Sequence, residues 1–459
     1  MDSGEGNEPS RPAAGLGVTT GTLLIVANMI GVGVFATTGY MVSAIPSSPA
    51  ILLAWLCGGI AALCGALTYA ELGAVYPRNG GEYRFLSDVY HPAIGFAAGW
   101  VSLIVGFSAP LAMYSMAFGE YLQAVWPAVN PKVAGLCVIA GFAVLHSSHV
   151  ASGSRFHNSL TMVKIALISL FVLAGLTRGD LSLIGDSTGK SLGSVVASAP
   201  FAVQLVYVSF AYGGWNTAAY LAGEFRRPQH DVPRAVLAGT LFVTILYLGL
   251  NVVFLASAPL QTLAAELKRE EKLGPGSDAT VRIGHVAATF LFGASGGKFV
   301  SLLIAAGLVS TVSANLMSGP RVYEAMGEDH PRLNLFRRTR AGGGPAIAIG
   351  LQAAVASVML VTSSFDQLMN YVGITLSLFA MATVSSAITL RWRAPELSRP
   401  YRTWGYPVTP VIFLALEGWM IAYTVIQRPV AAAYGAGTIA IGVVIYAVVR
   451  GRRTSAFSG

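Results

Sequence analysis

Two apolar stretches of this chain are interrupted at their centres by glycine-rich runs: residues 29–35, MIGVGVF, and residues 210–216, FAYGGWN. Each stretch is long enough to cross a bilayer as a helix, which takes about 20 residues. An unpaired backbone amide or carbonyl in hydrocarbon costs several kcal/mol, so a spanning helix unwinds only where protein or a polar ligand satisfies the freed groups. Two interrupted helices at matching places in two halves indicate the substrate site of a transporter.

The composition is that of a membrane protein. Of the 459 residues, 54% are hydrophobic and 11% are charged, and the mean hydropathy is +0.63, whereas soluble domains carry about 25% charged residues. The polar N-terminal residues lack the pattern of a signal peptide. The net charge of +8 forms no basic patch, so no nucleic-acid partner is expected. Cys57, Cys64 and Cys137 lie in apolar stretches, which favours packing over disulfides.

Hydropathy predicts twelve membrane spans. They cover residues 20–45, 50–75, 93–125, 132–149, 156–177, 195–222, 233–257, 298–318, 345–361, 366–391, 405–427 and 431–450. An even number of spans places both termini on one side, and that side holds most of the lysines and arginines. Because cytoplasmic loops are enriched in these residues, both termini are predicted to be cytoplasmic.

The interruptions fall in spans 1 and 6, so spans 1–5 can be laid over spans 6–10. Because five is an odd number, the second set is inverted relative to the first. The sequence therefore predicts an all-α membrane protein with a five-plus-five inverted repeat, unwound helices 1 and 6, and two further C-terminal helices. In one polytopic domain over residues 1–459, the repeats occupy 19–178 and 195–391, helices 11 and 12 occupy 405–450, and cytoplasmic tails occupy 1–18 and 451–459. Residues 259–297 are predicted to form short helices outside the membrane.

The interruptions offer both polarities of backbone group. Gly31 and Gly33 tolerate unusual backbone geometry and let a ligand approach. The amides that begin the outer half-helix favour an anion, and the carbonyls that end the inner half-helix favour a cation. The run from Phe210 to Gly214 supplies the same pair. A zwitterionic amino acid satisfies both; the alternative is that the glycines only permit close helix packing.

Ionisable residues within the spans constrain the substrate's side chain. Glu120 lies near the outer end of span 3, and Glu71 and Glu224 lie near the cytoplasmic ends of spans 2 and 6. The only deep base is Lys164. Since neither a cationic nor an acidic side chain finds an obvious partner, a neutral one is favoured. Glu417 lies mid-span in segment 11, outside the ten repeat helices, and is assigned no role.

Lys164 has two interpretations. It could extend to the cytoplasmic surface along its apolar stem. It could instead hold a fixed ammonium against the unwound carbonyls of segment 1, in the place of a bound cation. In that second interpretation its further partners in segment 8 are the hydroxyls of Ser310, Thr311 or Ser313.

A membrane enzyme or a channel is less well supported than a transporter. His146 and His149 are three residues apart, and His157 follows, but a metal site needs a third ligand in defined geometry. No nucleophile triad, phosphate-binding loop or zinc-peptidase motif is present. No charge ring or carbonyl filter motif suggests a channel. No enzymatic activity, metal or cofactor is therefore expected.

Several motifs resemble the amino acid–polyamine–organocation superfamily, and within it the L-type amino-acid transporters. The resemblance covers nearly the whole chain. It is carried by IGVGVF at 30–35, PRNGGEY at 77–83, FAYGGWN at 210–216, EFRRP at 224–228 and VPRA at 232–235.

The resemblance implies a LeuT-type fold and alternating access. The substrate-binding residues it implies are Ile30, Gly31, Val32, Gly33, Phe210, Ala211, Gly213, Trp215 and Asn216. The carboxylate would bind the amides of residues 31–33, the amine would bind carbonyls near Ile30 and Phe210, and Phe210 would be the gate. Lys164 matches the family's lysine in segment 5, which implies a cation mimic, sodium independence and exchange. Proton-coupled symport is the alternative.

Departures from the family limit what can be transferred. The loop at 127–131 has no cysteine, so no disulfide-linked heavy subunit is expected. Thr217 stands where many members for large neutral substrates carry an aromatic residue, which leaves selectivity open. The expected partners are an amino-acid substrate and the lipid bilayer of a cell membrane, taken to be a bacterial inner membrane.

Overall fold

The computed structural model describes residues 15–78, 80–148, 153–185, 191–271, 278–337 and 345–450. Over these ranges the chain is helical, and its β contact is an isolated bridge between Leu16 and Phe225. The bridge ties the segment before the first helix to the segment that follows the second interruption.

The helices of the first half are α1 Val18–Met29, α2 Gly33–Ala44, α3 Ser48–Val75, α4 Glu82–Val89, α5 Pro92–Val101, α6 Ala109–Val125, α7 Pro131–Ser148 and α8 Gly153–Arg178. A π-helical segment, Ser102–Ser108, joins α5 to α6. The later helices are α9 Leu192–Val196, α10 Ala199–Tyr212, α11 Thr217–Tyr220, α12 Pro228–Leu255, α13 Leu260–Glu271, α14 Ile283–Asp329, α15 Ala346–Thr362, α16 Phe365–Arg393, α17 Val408–Gln427 and α18 Pro429–Val449.

The helices fit a multi-pass membrane protein. Within the described residues, eight helical segments are long and apolar enough to cross a membrane. Three shorter apolar helices accompany them, at Pro131–Ser147, Ala199–Tyr212 and Ala346–Thr362. Every predicted span contains at least part of a helix, whereas the number of crossings and the inverted repeat stay predictions.

The region before span 8 contains short helices, as the sequence predicted. Helix α13 lies within 259–297, and α14 consists of two helices joined at a kink at Gly293, of which the first begins at Ile283 and the second covers the predicted span 8. Its first part is buried in the molecule, with Ala287 and Ala288 fully inaccessible. The helix bends at Gly293, whose φ of 77° is left-handed backbone that glycine tolerates.

Both predicted interruptions are present and lie next to each other. Helix α1 ends at Met29 and α2 begins at Gly33, while α10 ends at Tyr212 and α11 begins at Thr217. Helix α2 packs against α10, and α1 packs against α12. The fold therefore brings residues that are far apart in sequence to one level of the helix bundle.

Candidate functional site

The two interruptions touch at a pair of small residues. A Cβ atom placed on Gly33 would lie 2.4 Å from the Cα of Ala211. Contacts between carbon atoms are ordinarily about 3.5–4.0 Å, so only glycine permits this approach. The hydroxyl of Tyr247 in α12 donates to the Met29 carbonyl at 2.6 Å and lies 3.2 Å from the Ala211 carbonyl. Tyr247 thus joins both interrupted segments.

Lys164 lies at the first interruption. Its ammonium nitrogen, Nζ, donates to the carbonyl of Ile30 at 2.7 Å and to that of Ala27 at 3.3 Å. These carbonyls belong to the last turn of α1 and the break after it, where intrahelical donors are missing. The geometry agrees with an ammonium held at the unwound carbonyls and does not agree with a side chain that extends to the membrane surface.

The hydroxyls expected around Lys164 have other partners. The Thr311 hydroxyl donates to the Gly307 carbonyl of its own helix at 3.0 Å, and the Ser313 hydroxyl lies 2.9 Å from Nε2 of His146. Ser310 is buried. In the described part of the chain, no hydrogen bond joins Lys164 to these three residues. His149 and the side chain of His157 lie outside the described residues.

Some of the predicted substrate-binding residues line a larger cavity, others line a smaller one, and three line neither. The larger, central cavity has a volume of about 200 Å³, and its lining includes Phe210, Gly213, Trp215 and Asn216. The smaller cavity, of about 50 Å³, is lined in part by Ile30, Gly31, Lys164 and Thr311. Val32, Gly33 and Ala211 are buried and line neither. Because one water needs roughly 10–15 Å³, the central cavity has room for a small solute.

The ring of Tyr114 separates Gly31 from the central cavity. A Cβ on Gly31 would lie 3.1 Å from a ring carbon of Tyr114, and Tyr114 itself lines the central cavity. Of the amides expected to bind a carboxylate, that of Gly31 donates to the Met29 carbonyl at 2.8 Å. Of the carbonyls expected to bind an amine, that of Ile30 accepts from Lys164, and that of Phe210 accepts from the Gly213 amide at 2.9 Å. A carbonyl oxygen has two lone pairs, so each retains capacity for a second donor.

The central cavity reaches the end of the bundle that carries the α3–α4 connection. Glu82, the first residue of α4, lines it and accepts a hydrogen bond from the Tyr69 hydroxyl at 2.5 Å. The side chain of Asn216 donates to the Tyr220 hydroxyl at 2.8 Å, and Tyr220 also lies against Glu82. Burial raises the pKa of Glu82 to about 7, although the hydrogen bonds oppose the rise. A buried carboxyl group with a raised pKa thus lies in the lining of the cavity at this end.

The aromatic residue after the second interruption supports this end of the cavity. Trp215 is nearly buried and packs edge-to-face on Tyr69, with ring centroids 4.7 Å apart. Phe413 of α17 also packs edge-to-face with Trp215, with ring centroids 6.3 Å apart. Edge-to-face pairs of this kind stabilise by about 0.5–1.5 kcal/mol beyond their buried area. Trp215 is therefore both a lining residue and a packing support.

Three residues of this region received no role from the sequence. Tyr114 and Tyr247 lie within long apolar stretches, where nothing in the local pattern marks one tyrosine over another. Glu417 did carry a signal, as an acid in mid-span. Its contact was missing from the prediction: the Ser209 hydroxyl donates to Oε1 of Glu417 at 2.9 Å.

Comparisons with known proteins show which family the chain belongs to. Residues 16–449 match the family model described as amino acid permease. The chain is 30% identical over 425 residues to the serine/threonine exchanger SteT of Bacillus subtilis (strain 168), covering 90% of this chain and 91% of that protein. It is 27% identical over 450 residues to the large neutral amino acids transporter small subunit 2 of Mus musculus, covering 94% and 80%. It is 26% identical over 431 residues to the human b(0,+)-type amino acid transporter 1, covering 90% and 83%.

The matched family and these relatives are transporters, not enzymes. The family model spans almost the whole described chain, including both interrupted helices. The chain belongs to the amino acid permease family, within the amino acid–polyamine–organocation superfamily, and resembles its L-type transporters.

Proposed function

We propose that this protein is a sodium-independent exchanger of neutral L-amino acids that works by alternating access. The observation that carries the proposal is the ammonium of Lys164, 2.7 Å from the Ile30 carbonyl. Carbonyls at the end of a half-helix attract a cation, and here the protein supplies that charge from its own side chain. A transport cycle with a built-in cation has no need of bound sodium at this place.

The proposed substrate position follows from the two interruptions. The substrate carboxylate binds the amides of Gly31, Val32 and Gly33, and its amine binds the carbonyls near Ile30 and Phe210. Phe210, which lines the central cavity, acts as the gate. In this proposal the Gly31 amide exchanges its hydrogen bond to the Met29 carbonyl for one to the carboxylate, and the Tyr114 ring, which lies next to Gly31, moves away from it.

The proposed architecture has twelve crossings, a LeuT-type inverted repeat and both termini in the cytoplasm. The positions of the helices and the meeting of the two interruptions support it. The proposed location is the cell membrane, as a multi-pass protein of a bacterial inner membrane. No disulfide-linked heavy subunit takes part, since the loop at 127–131 offers no cysteine for one.

Proton-coupled amino-acid symport is the second candidate function. Glu82 favours it, because the pKa of this cavity-lining carboxyl is about 7 and its protonation can change within the physiological range. Exchange and symport share the substrate site and differ in how the carrier returns: an exchanger returns only with an amino acid bound, whereas a symporter returns empty after it has released the amino acid and the proton.

Counterflow in proteoliposomes distinguishes the two. Vesicles preloaded with unlabelled alanine, serine or leucine should take up labelled amino acid, and vesicles without internal amino acid should not. Replacement of sodium by choline should leave the rate unchanged. Uptake into empty vesicles that depends on an inward proton gradient would support symport and contradict exchange, and a requirement for sodium would contradict both.

A further inference from the structure

The carboxyl group of Glu417 is buried beside the second interruption. Its residue is 2% exposed and forms part of the wall of the central cavity. Ser209, whose hydroxyl donates to Oε1 of Glu417 at 2.9 Å, directly precedes Phe210 in the chain. The hydroxyl of Ser377 in α16 also lies within hydrogen-bonding reach of the carboxyl group. Glu417, Ser209 and Ser377, which all line the cavity, form a polar cluster contributed by α17, α10 and α16.

Glu417, like Glu82, is a buried acid without a cationic partner among the described ion pairs. In contrast, Glu71 lies 2.5 Å from Arg391, and Glu120 lies 3.3 Å from Arg282. The described partners of the Glu417 carboxyl group are the hydroxyls of Ser209 and Ser377, which carry no charge. Ionisable groups within a membrane mark functional sites by default.

We propose that the cluster of Glu417, Ser209 and Ser377 is a polar subsite that binds the substrate's side chain. The cluster fits a neutral side chain that carries a hydroxyl or an amide, because such a group can exchange hydrogen bonds with the two hydroxyls and the carboxyl group that line the cavity. Ser209 directly precedes Phe210, whose carbonyl lies where the substrate's amine is placed. This inference rests on the proposed function for the identity of the ligand as an amino acid.

A purely structural role would have different consequences. If the cluster only held the three helices together, its loss would weaken the binding of every substrate equally and would lower the stability of the protein. A subsite, in contrast, binds a side chain that carries a hydrogen-bond donor more tightly than a side chain of nearly the same shape that lacks the donor. Threonine and valine form such a pair, as do serine and alanine.

The test measures equilibrium binding of both amino-acid pairs to purified, full-length protein, together with counterflow. One hydrogen bond to a carboxyl group corresponds to roughly a tenfold difference in Kd or more. Wild type should therefore bind threonine at least about tenfold more tightly than valine. Glu417→Leu should reduce that ratio to within about twofold by weakening threonine binding, with valine binding unchanged. Thr424→Val, a substitution of a buried residue in the same helix and outside the cavity lining, should leave the ratio as in wild type.

An unchanged threonine-to-valine ratio in Glu417→Leu would overturn the inference, as would an equal loss for both amino acids. If Glu417→Leu does not fold, Ser377→Ala decides the question. It removes one hydroxyl of the cluster, and the loss of one neutral hydrogen bond should lower the ratio roughly two- to tenfold, whereas no change would overturn the inference. Wild type that binds threonine selectively through Glu417 but shows no counterflow would refute the exchanger and leave the subsite standing.

Discussion

Substitution of Gly33 by alanine tests whether the close approach of the two interruptions is required. The added methyl group would lie 2.4 Å from Cα and 2.7 Å from Cβ of Ala211. Since carbon atoms ordinarily approach to about 3.5 Å, the two segments must separate by about 1 Å. The nearest atom belongs to the backbone, so no change of rotamer can relieve the overlap. Overpacking of this kind costs about 1–3 kcal/mol.

The separation would also disturb the contacts of Tyr247, whose hydroxyl lies 2.6 Å and 3.2 Å from carbonyls of the two segments. We therefore expect Gly33→Ala to lower the midpoint of thermal denaturation in detergent by a few degrees. We expect the counterflow rate to fall by about tenfold or more, because misplacement by 1 Å at a site costs up to about 100-fold.

Gly350→Ala is the matched control. Gly350 lies within α15, and a Cβ there would meet no heavy atom within 4 Å. Alanine is favoured over glycine in a helix by about 1 kcal/mol, so this variant should be as stable as wild type or more stable. If Gly33→Ala denatured and transported like Gly350→Ala, the two interruptions would not be in the contact described here.

Three further predictions concern side chains that hydrogen-bond to the interrupted helices or line the cavities. Tyr247→Phe should destabilise the protein by about 0.5–1.5 kcal/mol, measured by denaturation, because it removes one of the two hydrogen bonds to the buried Met29 carbonyl and leaves only that from the Gly31 amide. Lys164→Ala should reduce counterflow far more than Lys268→Ala, a change of an exposed lysine in α13, and equal effects would rule out the cation mimic. The pKa of Glu82 is raised to about 7 from an ordinary value of 4.5, so the folded protein holds an extra proton between these pH values. Its stability should therefore fall by up to about 3 kcal/mol as pH rises through that window, and a thermal-denaturation series from pH 5 to 8 should show no such fall for Glu82→Gln.

Much of the fold was predictable because it depends on local pattern. Long apolar stretches become helices in a membrane since each helix satisfies its own backbone, and the structure places a helix in every predicted span. The glycine-rich runs at 29–35 and 210–216 predicted the interruptions, and helix does end and resume within them, at 30–32 and 213–216. The short helix before the kink at Gly293 lies in the stretch 259–297 where short helices were predicted, but its burial in the molecule was not predicted.

The site was predictable in its residues but not in their arrangement. The sequence grouped Gly31 with Phe210 in one substrate site, whereas the structure places them on the walls of different cavities with Tyr114 between Gly31 and the central one. For Lys164 the sequence left two interpretations open, and the Ile30 carbonyl favours one of them. The hydroxyls of Thr311 and Ser313, which were expected to contact Lys164, instead form hydrogen bonds within their own helix and with His146.

The sequence by itself determined that this is an all-helical membrane transporter of the amino acid permease family with two interrupted helices. It did so because hydropathy, glycine content and motif spacing are properties of short segments. Only the tertiary structure decided that Gly33 meets Ala211, that Tyr247 joins both interruptions and that Glu417 lies on the cavity wall. Helices buried in a membrane bundle are apolar on nearly all faces. Their sequences therefore do not show which face turns inward, and rotation about the helix axis is settled only by packing between segments far apart in the chain.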